Sequence, residues 1–160
     1  MVRVLLLTGL LSGLFTGCGS SDSAEKARQL QQLQAAQPTV MIEGQHLTLD
    51  AYLWCNFMPM TQPAGHPVAG SLTLRNEGLE PFPPGVTAEQ AWIINGEELW
   101  TTAELEVRQT GAQSPHLLIE FRDGPEWETG IKVDVVVQLR DTKQQPFLIK
   151  VDAREIKKIH

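Results

Sequence analysis

Aromatic side chains are few in this chain of 160 residues, with one tyrosine and 6% aromatic content, and positive charge is scarce as well. Thirteen Lys and Arg stand against 19 Asp and Glu, a formal net charge of −6. Without a basic stripe, the chain lacks what phosphate-neutralising contact with nucleic acid requires, and no nucleic-acid partner is expected. Two cysteines leave room for one disulfide at most. The most apolar stretch, Val4 to Phe15, spans about 18 Å as a helix at ~1.5 Å per residue, short of the ~30 Å hydrocarbon core, so no transmembrane helix is expected. A Walker loop, a G-x-S-x-G elbow, a dinucleotide fingerprint and an H-E-x-x-H pair are all missing, which weakens an enzymatic reading. What is there, 42% hydrophobic residues with ordinary Gly and Pro, suits one packed domain and argues against a disordered chain.

The N-terminus carries an address. Arg3 precedes the run VLLLTGLLSGLF, which closes on small residues ahead of Cys18, the architecture of an export signal over 1–17. Phe15-Thr16-Gly17-Cys18 resembles the lipobox of bacterial lipoproteins, with Phe15 where Leu is usual. The resemblance implies a thioether-linked diacylglycerol on Cys18, cleavage before it, and an acyl chain (palmitate) on the freed amine. Two or more chains hold a protein on a bilayer where one gives only reversible binding, so this membrane anchor is expected to be stable. Gly19, a non-acidic residue after the Cys, implies transfer to the outer membrane if the producing cell is Gram-negative. The segment removed carries one charged side chain, Arg3, so the mature chain is more acidic still and anionic headgroups repel it.

Beyond the lipidated Cys, a flexible tether and a short helix are expected within 18–37. AEKARQLQQLQAAQ holds strong helix formers and no Gly or Pro. Ala24, Ala27, Leu30 and Leu33 form a stripe too narrow for a core helix, which reads as a spacer, with a partner-binding or self-associating helix as the sharper alternative.

Residues 38–160 switch to a period of two. Leu47, Leu49, Ala51 and Leu53 alternate with His46, Thr48, Asp50 and Tyr52, and Val68, Gly70, Leu72 and Leu74 repeat the pattern. Strands at Gln90–Ile94 and Glu97–Thr101 flank Asn95-Gly96, a pair suited to a type I′ hairpin. Leu105 and Val107, then Leu117, Ile119 and Phe121, mark two more strands. Val133, Val135, Val137 and Leu139, then FLIKVDA, mark a long hairpin. Seven to nine short strands without βα alternation predict an all-β antiparallel sandwich. Trp127-Glu128-Thr129-Gly130-Ile131-Lys132-Val133-Asp134-Val135 resembles the corner entering the sixth strand of fibronectin type III and related immunoglobulin-like domains. Thr129 stands in place of Pro and Val133 in place of the corner tyrosine. It implies an immunoglobulin-like β-sandwich and selects no function.

One cluster could carry chemistry. Cys55, Met58, Met60 and His66 offer thiol, thioether and imidazole within a short span, the ligand set Cu(I) prefers, although Met also fills apolar gaps and Phe57 nearby points to packing. With Cys18 lipidated, Cys55 is an unpaired thiol, expected to be buried; a Cys-His nucleophile with His46 or His66 is the remote alternative. Asp123, Glu126 and Glu128 straddle a turn where oxygen ligands could hold Ca²⁺, but without regular ligand spacing they read as solvated acids. The same holds for the carboxylates at Glu97, Glu98, Glu104 and Glu106. The tryptophans at 54, 92, 100 and 127 belong either to the core or to a recognition surface; Trp92 and Trp100 lie on the two arms of the predicted hairpin, and a core role is expected, with a ligand shelf as the alternative. Arg154 with the KKIH end reads as a solvated terminus. The sequence thus predicts a non-catalytic, lipid-anchored envelope protein that binds or helps assemble another envelope component, protein or glycan, without a bound cofactor. A periplasmic Cu(I)-binding protein is the alternative, and a hydrolase stands third.

Overall fold

The computed structural model describes residues 21–58 and 65–160. The fold is all-β with one helix. The elements are α1 (Ser21–Gln34), β1 (Thr39–Ile42), β2 (Gln45–Asn56), β3 (Val68–Asn76), β4 (Thr87–Asn95), β5 (Glu98–Thr102), β6 (Glu106–Gln109), β7 (His116–Phe121), β8 (Lys132–Arg140) and β9 (Pro146–Ile159). They form a single curled sheet in the order β5-β4-β8-β9-β2-β3-β7-β6, with β1 paired to β2.

The alternation that predicted the strands also fixes their faces. Leu47, Leu49, Leu53 and Cys55 of β2, Leu72 and Leu74 of β3, and Ile119 and Phe121 of β7 point into one main core. Ile93 of β4, Val135, Val137 and Leu139 of β8, and Ile149 of β9 enter the same core from the other arm of the curl. The bend is made by β9. Its first part runs antiparallel to β8, and its last part, from Ile156 to Ile159, runs parallel to β2 from Leu53 to Asn56. At the changeover the β8 register slips between Val133 and Val135, Ala153 adopts a φ of 54°, and the Ala153 N–H donates to Asp134 Oδ1 at 2.9 Å. This local bulge re-aims the strand from β8 toward β2. The parallel β2·β9 pair departs from the purely antiparallel arrangement expected: β9 keeps its direction past the bulge and so lies parallel to β2.

The Asn95-Gly96 hairpin is present but its turn is displaced by one residue. Asn95 pairs with Glu98, so the loop is Gly96-Glu97, and within it only Gly96 takes a positive φ, 60°. A positive φ at the first loop position belongs to type II′ rather than type I′, and Gly supplies it without a Cβ clash. Trp100 then lies opposite Ile93 and packs inward, its ring 5.3 Å from Phe121, while Trp92 points to the opposite face. The β8–β9 hairpin forms as predicted, its turn held by Asp141 Oδ1, which accepts the N–H groups of Lys143 and Gln145 at 2.8 Å each. In the stretch that resembles a fibronectin corner, Trp127 packs against the main core and Gly130, at φ 88°, leads into β8.

The helix packs more closely than a spacer needs. Leu33 is buried and joins Trp92, Ile94 and Val136 in a second, smaller core, bordered by Leu30, Ala36, Leu99 and Leu148. This is why Ala91, Trp92, Ile93 and Ile94 are buried in succession: one face of β4 meets the main core and the other lies under the helix end. Past the helix, Gln37 bridges to Ile149; the Lys150 N–H donates to Gln37 O and Lys150 Nζ to Gln34 O, both at 2.9 Å. The narrow stripe suffices because only the last turn docks.

Candidate binding face

Cys18 and Met60 lie outside the described residues. Cys55 points inward from β2, only 1% exposed, its thiol 4.0 Å from the Trp127 carbonyl oxygen. Burial pushes its pKa up from an ordinary value of 9.0, so at neutral pH it is a protonated thiol, poorly suited to attack or to metal binding. His66 sits in different surroundings. Its ring stacks on Phe57 with centroids 3.9 Å apart, Nδ1 lies 2.8 Å from the Asn56 carbonyl oxygen, and Lys158 Nζ lies 4.6 Å from the centre of the same Phe57 ring. Because a carbonyl only accepts, Nδ1 carries the proton and neutral His66 keeps its lone pair on Nε2. Met58 is exposed, and its N–H donates to Asn56 Oδ1 at 2.9 Å. Among the described residues no three His, Cys, Asp or Glu side chains converge as a metal site.

The acidic turn is tied to the sheet. Gly124 N–H donates to Val68 O at 2.9 Å, Val68 N–H donates to Pro125 O at 3.1 Å, and Asp123 takes a φ of 56°. Glu126 lies against Gly65.

A different set of residues is brought together on the outer face of β2, β3 and β7. The polar half of β2 carries Asp50, Tyr52, Trp54 and Asn56, alternating with the buried residues. Tyr52 is 52% exposed, and its ring lies 5.5 Å from that of Trp54 at an interplanar angle of 34°. Trp54 pairs with Ala69 and Tyr52 with Ser71, while Ser71 pairs on its other side with Glu120. Two small side chains therefore lie between an aromatic wall and a charged one, and a groove results. A hollow of about 270 Å³ is bounded by Trp54, Asn56, Pro67, Ala69, Arg122 and Asp123. A second, of about 320 Å³, is bounded by Glu104 and Glu106 and shares Glu120 and Arg122 with the first. Glu120 is held by an ion pair with Arg108 of β6. Beneath the groove Gly70 backs directly onto the Phe121 ring, leaving no room for a Cβ.

The sequence reading did not single out Tyr52, Asn56, Glu120 or Arg122 for function, and it weighed Trp54 only as one of four tryptophans, with a core role preferred to a ligand shelf. The signal was present: two aromatics two residues apart on the solvent half of a strand, when an amphipathic strand would place polar residues there. The small partners Ala69 and Ser71 become meaningful only once the register is known. No protein-family model, curated protein or solved structure matches this chain.

Proposed function

We propose that the chain is a non-catalytic, lipid-anchored binding module of a bacterial envelope, with an immunoglobulin-like β-sandwich as scaffold and the outer face of β2, β3 and β7 as its contact surface. The observation that carries this reading is the pair of exposed Tyr52 and half-buried Trp54 beside a groove, on the sheet face opposite the main core. Aromatic rings with a polar tip supply contact area at small entropic cost, and a folded chain leaves them in water chiefly where something else covers them. The lipobox resemblance at Phe15 to Cys18 supports attachment through diacylglycerol and palmitate on Cys18, at the outer membrane in a Gram-negative cell. A photo-reactive phenylalanine analogue at position 71, irradiated in living cells, is expected to give a discrete adduct that Trp54→Ala abolishes. No adduct, or one indifferent to Trp54, overturns the reading.

A second reading is supported by one contact. Metal-bound histidines commonly donate their other ring N–H to a carbonyl, as His66 Nδ1 does to Asn56 O, leaving Nε2 as the ligand atom. A periplasmic Cu(I) site built from His66, Met58 and Met60, with Cys55 withdrawn into the core, follows from it. Competition with a Cu(I) chelator, in parallel with a Met58→Ala/Met60→Ala/His66→Ala variant, decides: equal and weak binding by both proteins eliminates copper.

A further inference from the structure

We propose that the groove between Trp54 and Glu120 takes a chain of neutral hexopyranose units, an assignment that rests on the binding-module reading and names its ligand. Three features converge on this chemistry. The first is the aromatic pair. One face of a pyranose is a row of weakly polarised C–H bonds, complementary to the electron-rich face of an aromatic ring, and Tyr52 and Trp54 offer two such rings side by side at 5.5 Å.

The second is the mixture of polar groups facing Trp54 across the small floor of Ala69 and Gly70, with Tyr52 and Ser71 alongside. Asn56 has its Oδ1 committed to the Met58 N–H, so its amide nitrogen is the donor on offer; Arg122 donates, while Glu120 and Asp123 accept. Sugar hydroxyls both donate and accept, and a ring edged with them satisfies such a set where a purely apolar or singly charged ligand does not. The two hollows, about 270 and 320 Å³, fall just below and just inside the ~300–1,000 Å³ typical of small-ligand clefts, and they are neighbours that share Glu120, Phe121, Arg122 and Asp123 as lining. Two small adjacent hollows suit successive rings of a chain rather than a bulky folded partner.

The third is charge. Glu104, Glu106, Glu120 and Asp123 line the groove against Arg122, and Arg108 is already engaged by Glu120. The carboxylates left beside the Glu120–Arg108 pair, Glu104, Glu106 and Asp123 against Arg122, repel uronate and phosphorylated glycans, and of the occupants that remain the aromatic pair selects a neutral sugar.

The test uses the full chain in detergent, titrated with chitotetraose, cellotetraose, maltotetraose and mannotetraose, with tetragalacturonate and an oligolysine peptide beside them, read by calorimetry and tryptophan fluorescence. At least one neutral tetramer is expected to bind in the millimolar range or tighter, with affinity reduced tenfold or more in Trp54→Ala and severalfold in Tyr52→Ala. Leu79→Ala, remote from the groove, leaves affinity unchanged. Should Trp54→Ala not fold, Ala69→Lys, beside Trp54, fills the groove floor from the solvent side and is expected to abolish binding. Failure of all four neutral tetramers, binding that survives Ala69→Lys, or preference for the polyanion or for oligolysine overturns the assignment. An adduct from position 71 to a protein, with no glycan binding, removes this assignment and leaves the module reading standing; loss of both removes both.

Discussion

Ala153 holds a φ of 54°, where a Cβ crowds the backbone and costs about 1–2 kcal/mol. Glycine avoids that cost but loses more freedom on folding, about 0.4–1 kcal/mol, so Ala153→Gly is expected to be neutral to stabilising, by up to about 1 kcal/mol in urea denaturation. Asp134→Ala, by contrast, strips the partner from the Ala153 N–H and is expected to destabilise by about 1 kcal/mol. Cys55 makes a second prediction at this scale. Its thiol is pushed upward by burial, so the folded state holds the proton more tightly than the unfolded chain does. Its contribution to stability is complete below the ordinary value of 9.0 and is lost as pH rises through the folded value. Maleimide labelling of the native chain is expected to be far slower than that of the unfolded chain, and Cys55→Ala is expected to flatten the alkaline fall in stability.

Among the elements, α1 offers the sharpest test. Among the described helix residues Leu33 is the one fully inside the second core, and Leu33→Ala is expected to cost about 2–3 kcal/mol, with a red shift of tryptophan emission as Trp92 meets water. Gly96→Ala imposes a side chain on the positive φ of the turn and is expected to cost about 1 kcal/mol, read from the shift in thermal midpoint. These two elements also mark what the sequence made legible and what it did not. Strict alternation placed β2, β3, β7 and the β8–β9 hairpin, because each buries one face and a period of two encodes that directly. It could not orient Trp92, since a strand buried on both faces has no polar half to read against. The turn slipped by one residue because Asn-Gly satisfies a glycine-first loop as readily as a paired one. The helix looked too thin because its stripe was judged over the whole segment, whereas only its last turn docks. The groove escaped because it depends on Ala69 and Ser71 lying beside Trp54 and Tyr52, and register is a property of pairs of strands.

For the whole molecule, the proposed anchor makes a prediction separable from the fold. Cys18→Ala is expected to leave an unprocessed, unlipidated chain that partitions to the aqueous phase in detergent separation, while its circular dichroism remains that of a β-rich domain. The curl has a mechanical reading as well. Any pull delivered through the N-terminal segment reaches the domain first where Leu30 and Leu33 meet Trp92, Ile94 and Val136, and then where Gln34 and Gln37 are fastened to Lys150, on β9. Among the described strands, β9 is the one bonded to β8 along its first part and to β2 along its last. Tension arriving through the proposed anchor is thus borne first on β4, β8 and β9, and it comes to the Tyr52–Trp54 strand through β1 and through β9's far end, so the groove lies behind these attachments when the leash is taut.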